Sequence, residues 1–411
     1  MLFLSNLLAP LRWISGLCAT TSALLIAGCA WDGTSMQISK QPACKASSAY
    51  DGRALRPAVN IAALPVRPAT AVQSFPASVQ TALSSRWQEG LTASGATTGA
   101  ITIMQLGAAG TDEPASSWSS FNGGDGDARS FWWASAGKIV TASVILQLER
   151  EGALAITDNI DRWFPDFPGA ELITIEQLLT HTSGAFTFDN DAQIRGRQYY
   201  IPPAELIAAS ARQGLDFCPG TNWLYSNTGY IMLALIAESV DQQSFAQIVE
   251  RRIASPLGLS TLHVLGPNTD PRSVVAPKGK PGGSIAAFAT IAGAGPVVGD
   301  APAMVALLSA WLDGRLIGED ARNRALTTLY PMFESSASYG RGIMVIDVPD
   351  QEGATRWIGH LGGSPDAKAV LVYDLVRRTY VALALNTDAN GEALALSILA
   401  ALDESRKREP L

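Results

Sequence analysis

Histidine is scarce in this chain, with three copies lying far apart in 411 residues, and there are four cysteines. No group of Cys, His and carboxylates has metal-ligand spacing, so neither a metal nor another cofactor is expected. Charge is also sparse, at 16% of residues, with a net charge of −7 and no basic stripe. That balance excludes nucleic acid as a natural partner. The pairs Arg251-Arg252 and Arg377-Arg378 and the tail Arg406-Lys407-Arg408 read as solvated helix or turn surfaces. No internal repeat is evident. What is plentiful is apolar sequence, 47%, enough for a large core in one domain or two subdomains.

The first apolar stretch, Trp13 to Ala27 behind Arg12, is short for a membrane-spanning helix. It reads as an export signal rather than part of the fold. It ends Leu25-Ile26-Ala27-Gly28-Cys29, which resembles the bacterial lipobox, where the cysteine is lipidated. The alternatives are an ordinary secretory signal cut near Ala30 and a retained anchor. The expectation is a signal over 1–29, then export to the periplasm with a lipid on Cys29 tethering the protein to the outer membrane. Cys44 and Cys218 would remain in an oxidising compartment. They either form a disulfide or stay as two small hydrophobes.

Residues 30–70 lack a periodic apolar pattern and read as a flexible tether and extended lead-in. Pro76 to Ala93 predicts an amphipathic helix with Val79, Leu83 and Trp87 on one face, and Ala100–Leu106 and Trp118–Phe121 predict strands. Helical patterns follow at 135–151, 174–180, 203–213, 229–240, 244–255 and 302–313, with a Gly/Ala-rich loop from Pro277 to Gly299. The period then changes to strands at Gly342–Val348, Thr355–Gly359, Ala367–Tyr373 and Thr379–Asn386, and the chain closes with a helix from Gly391 to Leu402. The expected fold is α+β: an antiparallel sheet from both ends of a domain spanning 71–407 (about 71–130 and 335–407), flanked by helices. An all-helical subdomain, about 131–334, is inserted.

Lysine is rare too. Of seven, Lys138 is the only one between Lys45 and Lys278, and it completes the only Ser-x-x-Lys, Ser135-Ala-Gly-Lys138. A spacing of three puts both side chains on one helical face, so the amine can take the serine proton. A lysine near a helix start opposes the macrodipole, which weakens a purely structural reason for it. Taken alone, the motif is most simply a chance serine beside a solvated lysine. Ninety residues on comes the only Tyr-x-Asn, Tyr225-Ser-Asn227. A lysine ammonium beside the tyrosine would favour the phenolate and make Tyr225 a general base and later an acid. Asn227 can bond both the lysine and a substrate amide; the plain reading is a loop tyrosine with Asn227 as a helix cap. The third element is His360-Leu361-Gly362-Gly363. Its paired glycines let a substrate backbone approach, and the Gly363 and Ser135 N–H groups would make an oxyanion hole. The plain reading is a polar strand end and a turn.

In this order the three motifs resemble the serine β-lactamase and penicillin-binding-protein superfamily, over about 75–405. The match is to the branch holding class C β-lactamases, family VIII-type esterases, D-aminopeptidases and D-Ala-D-Ala carboxypeptidases. Ile175-Glu-Gln-Leu-Leu-Thr-His181-Thr-Ser-Gly184 and Phe217-Cys-Pro-Gly220 are similar to segments of that family. The resemblance implies acyl transfer without cofactor: Ser135 as nucleophile, Lys138 as proton acceptor, Tyr225 as general base and acid. It implies that Asn227, His360, Gly362 and Gly363 position substrate and oxyanion. His181 is expected to pack a turn, and His263 has no role. β-Lactamases usually carry Lys-Thr-Gly at the third motif, whereas this chain has His-Leu-Gly. Histidine, with a reference pKa of about 6.5, is a weak anchor for a substrate carboxylate at neutral pH. The expected activity is therefore hydrolysis of small esters, amides or D-amino-acid peptides. The alternatives are a D-Ala-D-Ala carboxypeptidase or penicillin-binding protein, a weak β-lactamase, and a non-catalytic binding protein of the same fold. Trp132, Trp133, Tyr199 and Tyr200 either line an acyl pocket or belong to the core.

Overall fold

The computed structural model describes residues 44, 49–65, 72–123, 129–197, 199–279, 285–295, 297–333, 336–350, 353–365 and 367–408, all within one compact unit, Pro42–Leu411. The signal segment and Cys29 lie outside the described residues. Its strands are β1 (Gln73–Ser74), β2 (Gly99–Gln105), β3 (Ser116–Asn122), β4 (Phe131–Trp132), β5 (His263–Val264), β6 (Val297–Gly299), β7 (Tyr330–Pro331), β8 (Ala337–Tyr339), β9 (Met344–Asp350), β10 (Gly353–Ser364), β11 (Ala367–Asp374) and β12 (Thr379–Leu385). Nine of them form one sheet in the order β1-β3-β2-β12-β11-β10-β9-β8-β7, antiparallel except for β1 against β3.

The join between the two ends of the chain is β2 against β12, from Gly99↔Leu385 to Gln105↔Thr379. Both faces of these strands are buried, and both alternating residue sets are mostly apolar. On one face Ile101, Ile103, Val370, Val372, Val381 and Leu383 meet α1 (Ala77–Ser94) and the C-terminal helix Gly391–Arg408. Helix α1 presents Val79, Leu83, Trp87 and Leu91, every fourth residue, and stops at Gly95, whose φ of 69° is left-handed. On the other face the smaller Ala100, Ala369, Ala382 and Ala384 admit the helices of the central segment. Those are α2 (Lys138–Arg150), α3 (Ile175–Thr180), α4 (Pro203–Gln213), α5 (Asn227–Asp241), α6 (Phe245–Val249), α7 (Ser255–Leu257), α8 (Ile285–Thr290), α9 (Ala301–Leu312) and α10 (Glu319–Ala325).

Four features differ from the reading of the sequence. Residues 49–65 lie along the domain instead of hanging as a tether: Arg56 bridges Leu329, Val59 N–H donates to Leu326 O, and Val59 and Leu64 are buried. Three buried residues, Val59, Leu64 and Pro65, in an irregular segment leave no period to read. The central segment also holds a small sheet, β4-β6-β5, whose two- and three-residue strands are too short for a pattern. The helix expected at 244–255 breaks into α6, a π-turn over Glu250–Ala254, and α7. Pro256 has no N–H to give Arg252 O, which instead accepts from Gln147 Nε2 at 3.5 Å. Finally, Arg252 and Arg377 are not solvated. Arg252 bonds Asp241 and Glu151, and Arg377 bonds Asp374 and Asp403.

Candidate active site

Ser135 stands in a 3-10 turn, Ala134–Gly137, that runs straight into α2 at Lys138. The residue before it, Ala134, has φ 47°, a left-handed conformation that costs an alanine on the order of 1 kcal/mol. The surroundings hold the turn in that shape. Trp133 N–H donates to Val297 O at 3.0 Å and its indole to Gly299 O at 3.1 Å. Strand β10 presses on the turn from the other side. A Cβ on Gly362 would fall 2.1 Å from Trp133 O and 3.0 Å from Ala136 N. Gly362 was expected to make room for a substrate backbone, but its bare face is filled by the serine turn itself.

Lys138 is completely buried. Its Nζ donates to Ser135 Oγ at 3.1 Å, Asn227 Oδ1 at 2.7 Å and Ala294 O at 2.6 Å. Three neutral oxygens replace water, and among the described residues no carboxylate touches it. Burial therefore pushes its pKa down to about 7, an effect only partly offset by the charge of Asp189. The Ala294 carbonyl reaches it because Gly293 and Gly295 flank it, where Cβ atoms would fall 2.3 Å from Tyr230 O and 2.4 Å from Ala134 O. These glycines belong to the Gly/Ala-rich stretch read from sequence as a loop.

The ring of Tyr225 lies 4.9 Å from Lys138 Nζ. Its hydroxyl is buried and makes no well-formed hydrogen bond, with Ser135 near enough to pull its pKa slightly down. Burial is the larger effect and pushes the phenol's pKa up. The expected phenolate is thus corrected: a buried lysine near neutrality supplies too little positive charge to offset desolvation, and Tyr225 is a phenol. Asn227 opens α5, with its N–H on Thr187 Oγ1 at 3.1 Å and its Nδ2 on Asp189 Oδ2 at 3.2 Å.

The third motif lies inside β10 rather than before a strand. Pairing with β9 ends at Gly359↔Met344, so residues 360–364 are paired only with β11. Gly363 is exposed there. His360 is fully buried, with Nε2 3.0 Å from Tyr339 OH. Burial and the charge of Lys138 push its pKa down to about 3. The expected substrate-facing histidine is therefore a neutral, inward-facing one. Behind the lysine, Tyr339 OH meets Tyr230 OH at 3.2 Å, and Tyr230 donates to Leu179 O at 2.9 Å. His181 caps α3 with φ 62°, accepts from Ser226 N–H at 3.2 Å, and stacks on Tyr225 with ring centroids 4.2 Å apart.

Trp132 and Trp133 are core residues; Trp132 stacks on Phe288 at 3.8 Å. Tyr199 is exposed, while Tyr200 is half-buried against the Trp132 cluster. His263 lies half-buried on β5, paired with Val298 of β6, and makes no described hydrogen bond to this set. Cys44 and Cys218 are joined in a disulfide. Sequence reasoning missed Asp189, Thr187, Ala294 and Tyr339, because no short motif contains them. Among the described residues no group of His, Cys, Asp and Glu can hold a metal ion, and no helix is long and apolar enough to cross a membrane.

A family model described as Beta-lactamase matches residues 127–404. Among curated relatives, a Bacillus subtilis protein described as penicillin-binding is 29% identical over 221 residues, 53% of this chain and 54% of the relative. Esterase EstB of Burkholderia gladioli is 31% identical over 145 residues, 31% of this chain and 37% of the esterase. The matched stretches thus span about a third to a half of those relatives. A solved D-stereospecific amidohydrolase from Streptomyces superposes with TM-score 0.63 at 26% identity, over 78% of this chain and 97% of that one. The D-amino acid amidase of Ochrobactrum anthropi, at 21% identity and TM-score 0.69 over 80% of this chain and 99% of its own, shares the fold.

Proposed function

Because this chain belongs to the beta-lactamase family, whose relatives and structural neighbours here include an esterase and amidases, we propose that it hydrolyses small esters, amides or D-amino-acid peptides through an acyl-enzyme on Ser135. The observation that carries this reading is the 3.1 Å contact between Ser135 Oγ and a buried Lys138 whose pKa is brought to about 7. In its neutral form Lys138 takes the Ser135 proton as Oγ attacks the carbonyl carbon. The N–H groups of Ser135 and Gly363 receive the developing oxyanion. Tyr225 donates its phenolic proton to the leaving group and is reprotonated from Lys138. Water then attacks the acyl-enzyme and returns Ser135 with its proton.

A penicillin-binding reading draws on the curated relatives. Against it stands the third motif. His360, buried against Tyr339, offers no exposed cation to a substrate carboxylate. The disulfide supports an oxidising compartment, and we place the protein in the periplasm, tethered by lipid on Cys29. The test is turnover of p-nitrophenyl butyrate, with intact mass recorded after benzylpenicillin. Ester turnover that Ser135→Ala abolishes supports the proposal. A lasting Ser135 adduct without ester turnover favours the penicillin-binding reading. Ester turnover that survives Ser135→Ala overturns the assignment.

A further inference from the structure

Among the described residues Asp189 is the one carboxylate hydrogen-bonded into this site, and it is exposed. Its Oδ2 accepts from Asn227 Nδ2 at 3.2 Å and its Oδ1 from the Thr187 hydroxyl. Thr187 Oγ1 in turn accepts from Asn227 N–H at 3.1 Å. A continuous hydrogen-bonded path therefore runs Ser135–Lys138–Asn227–Asp189. The carboxylate is fixed in orientation, and no described ion pair neutralises it: Lys138 bonds three neutral oxygens and stays buried. An oriented, solvent-facing carboxylate two hydrogen bonds from the lysine carries no structural ion pair, and its complement is a cation brought by the substrate. The opposite arrangement, an exposed cation for a substrate carboxylate, is missing at the third motif, where His360 faces inward.

We propose that Asp189 is a specificity-determining residue that binds a free ammonium group close to the scissile carbonyl. The preferred substrates would then be amides, esters or short peptides of amino acids with an unblocked α-amine, attacked at the carbonyl next to that amine. This rests on Ser135 being the nucleophile, as proposed above, and adds the substrate class.

The experiment compares kcat/KM for D- and L-phenylalanine p-nitroanilide and p-nitrophenyl ester with their N-acetyl counterparts, on the full exported protein. For at least one enantiomer the free-amine substrate is expected to exceed its N-acetyl form by about tenfold or more, mainly through KM, as charge-assisted recognition allows. Asp189→Asn should bring that ratio close to one, and Asp189→Glu should restore part of it. If Asp189 merely holds Asn227 in place, Asp189→Asn would slow both substrate forms alike and keep the ratio, which overturns the proposal. A wild-type ratio near one, with both forms turned over, overturns it while leaving the Ser135 chemistry intact. No turnover of either form while p-nitrophenyl butyrate is hydrolysed overturns it and leaves the hydrolase reading standing; no turnover of any of these substrates sinks both.

Discussion

Lys138 and Arg252 are both cations drawn out of water, and the protein treats them in opposite ways. Arg252, with its side chain 9% exposed, lies against Asp241 at 2.6 Å and Glu151 at 2.7 Å, and these partners push its pKa further up. Lys138, wholly buried, receives only a carbonyl, an amide oxygen and a serine hydroxyl. The paired cation is fixed as a charge and ties α2's end to α5's end. The unpaired one is held where losing its proton relieves a desolvation cost. A buried cation without a carboxylate is a poor structural device, and that is the physical reason to assign it chemistry.

Replacing each cation with a neutral isostere is the most direct way to break the comparison. Lys138→Met should lower kcat/KM by about a thousandfold or more, because in the proposed mechanism Ser135 loses its proton acceptor. Its melting temperature should hold or rise, since an uncompensated buried charge is gone. Activity within a few-fold of wild type would remove Lys138 from the mechanism. Arg252→Met should do the reverse. Asp241 would lose its main partner and keep only the half-exposed Arg251, costing about 1–3 kcal/mol by denaturant titration while Ser135 chemistry persists in the folded fraction. A loss under about 1 kcal/mol would show the pair to be mere surface decoration.

The pH dependence sharpens the same contrast with a smaller effect. If neutral Lys138 is the working form, kcat/KM should rise with pH up to a plateau above about 7, and at pH 6 lie about tenfold below it. Stability should follow the same group. The folded pKa lies below the unfolded one, so between about 7 and the free-lysine value the unfolded chain binds more protons. The burial cost of charged Lys138 is therefore full below pH 7, and stability is regained as pH rises above it. The difference in melting temperature between wild type and Lys138→Met should shrink from pH 6 to pH 9. A constant difference would mean that Lys138 keeps an ordinary lysine pKa.

Ser135, Lys138 and the Tyr225–Asn227 pair were legible because each lies in a short motif at fixed spacing. The strands were legible because β2, β11 and β12 alternate two apolar sets, one for each helical layer. Illegible were the parts that depend on long-range approach. Ala294 carries its carbonyl 156 residues along the chain to Lys138, through a loop whose glycines alone permit the contact. Asp189 joins the site through Asn227, 38 residues away, and belongs to no motif. His360 could be read either as a substrate anchor or as a strand end; only its place beneath Tyr339 settles which way it faces.

Local spacing by itself determined which side chains can share one helical turn, since Ser135 and Lys138 are three residues apart in any helix. It also determined the buried strands, since a short apolar run between turn residues needs no partner to be read. Tertiary structure alone decided the protonation of the group that matters most. A lysine's pKa depends on how much water and which oxygens surround its nitrogen, and those oxygens come from Ser135, Asn227 and Ala294 across the fold.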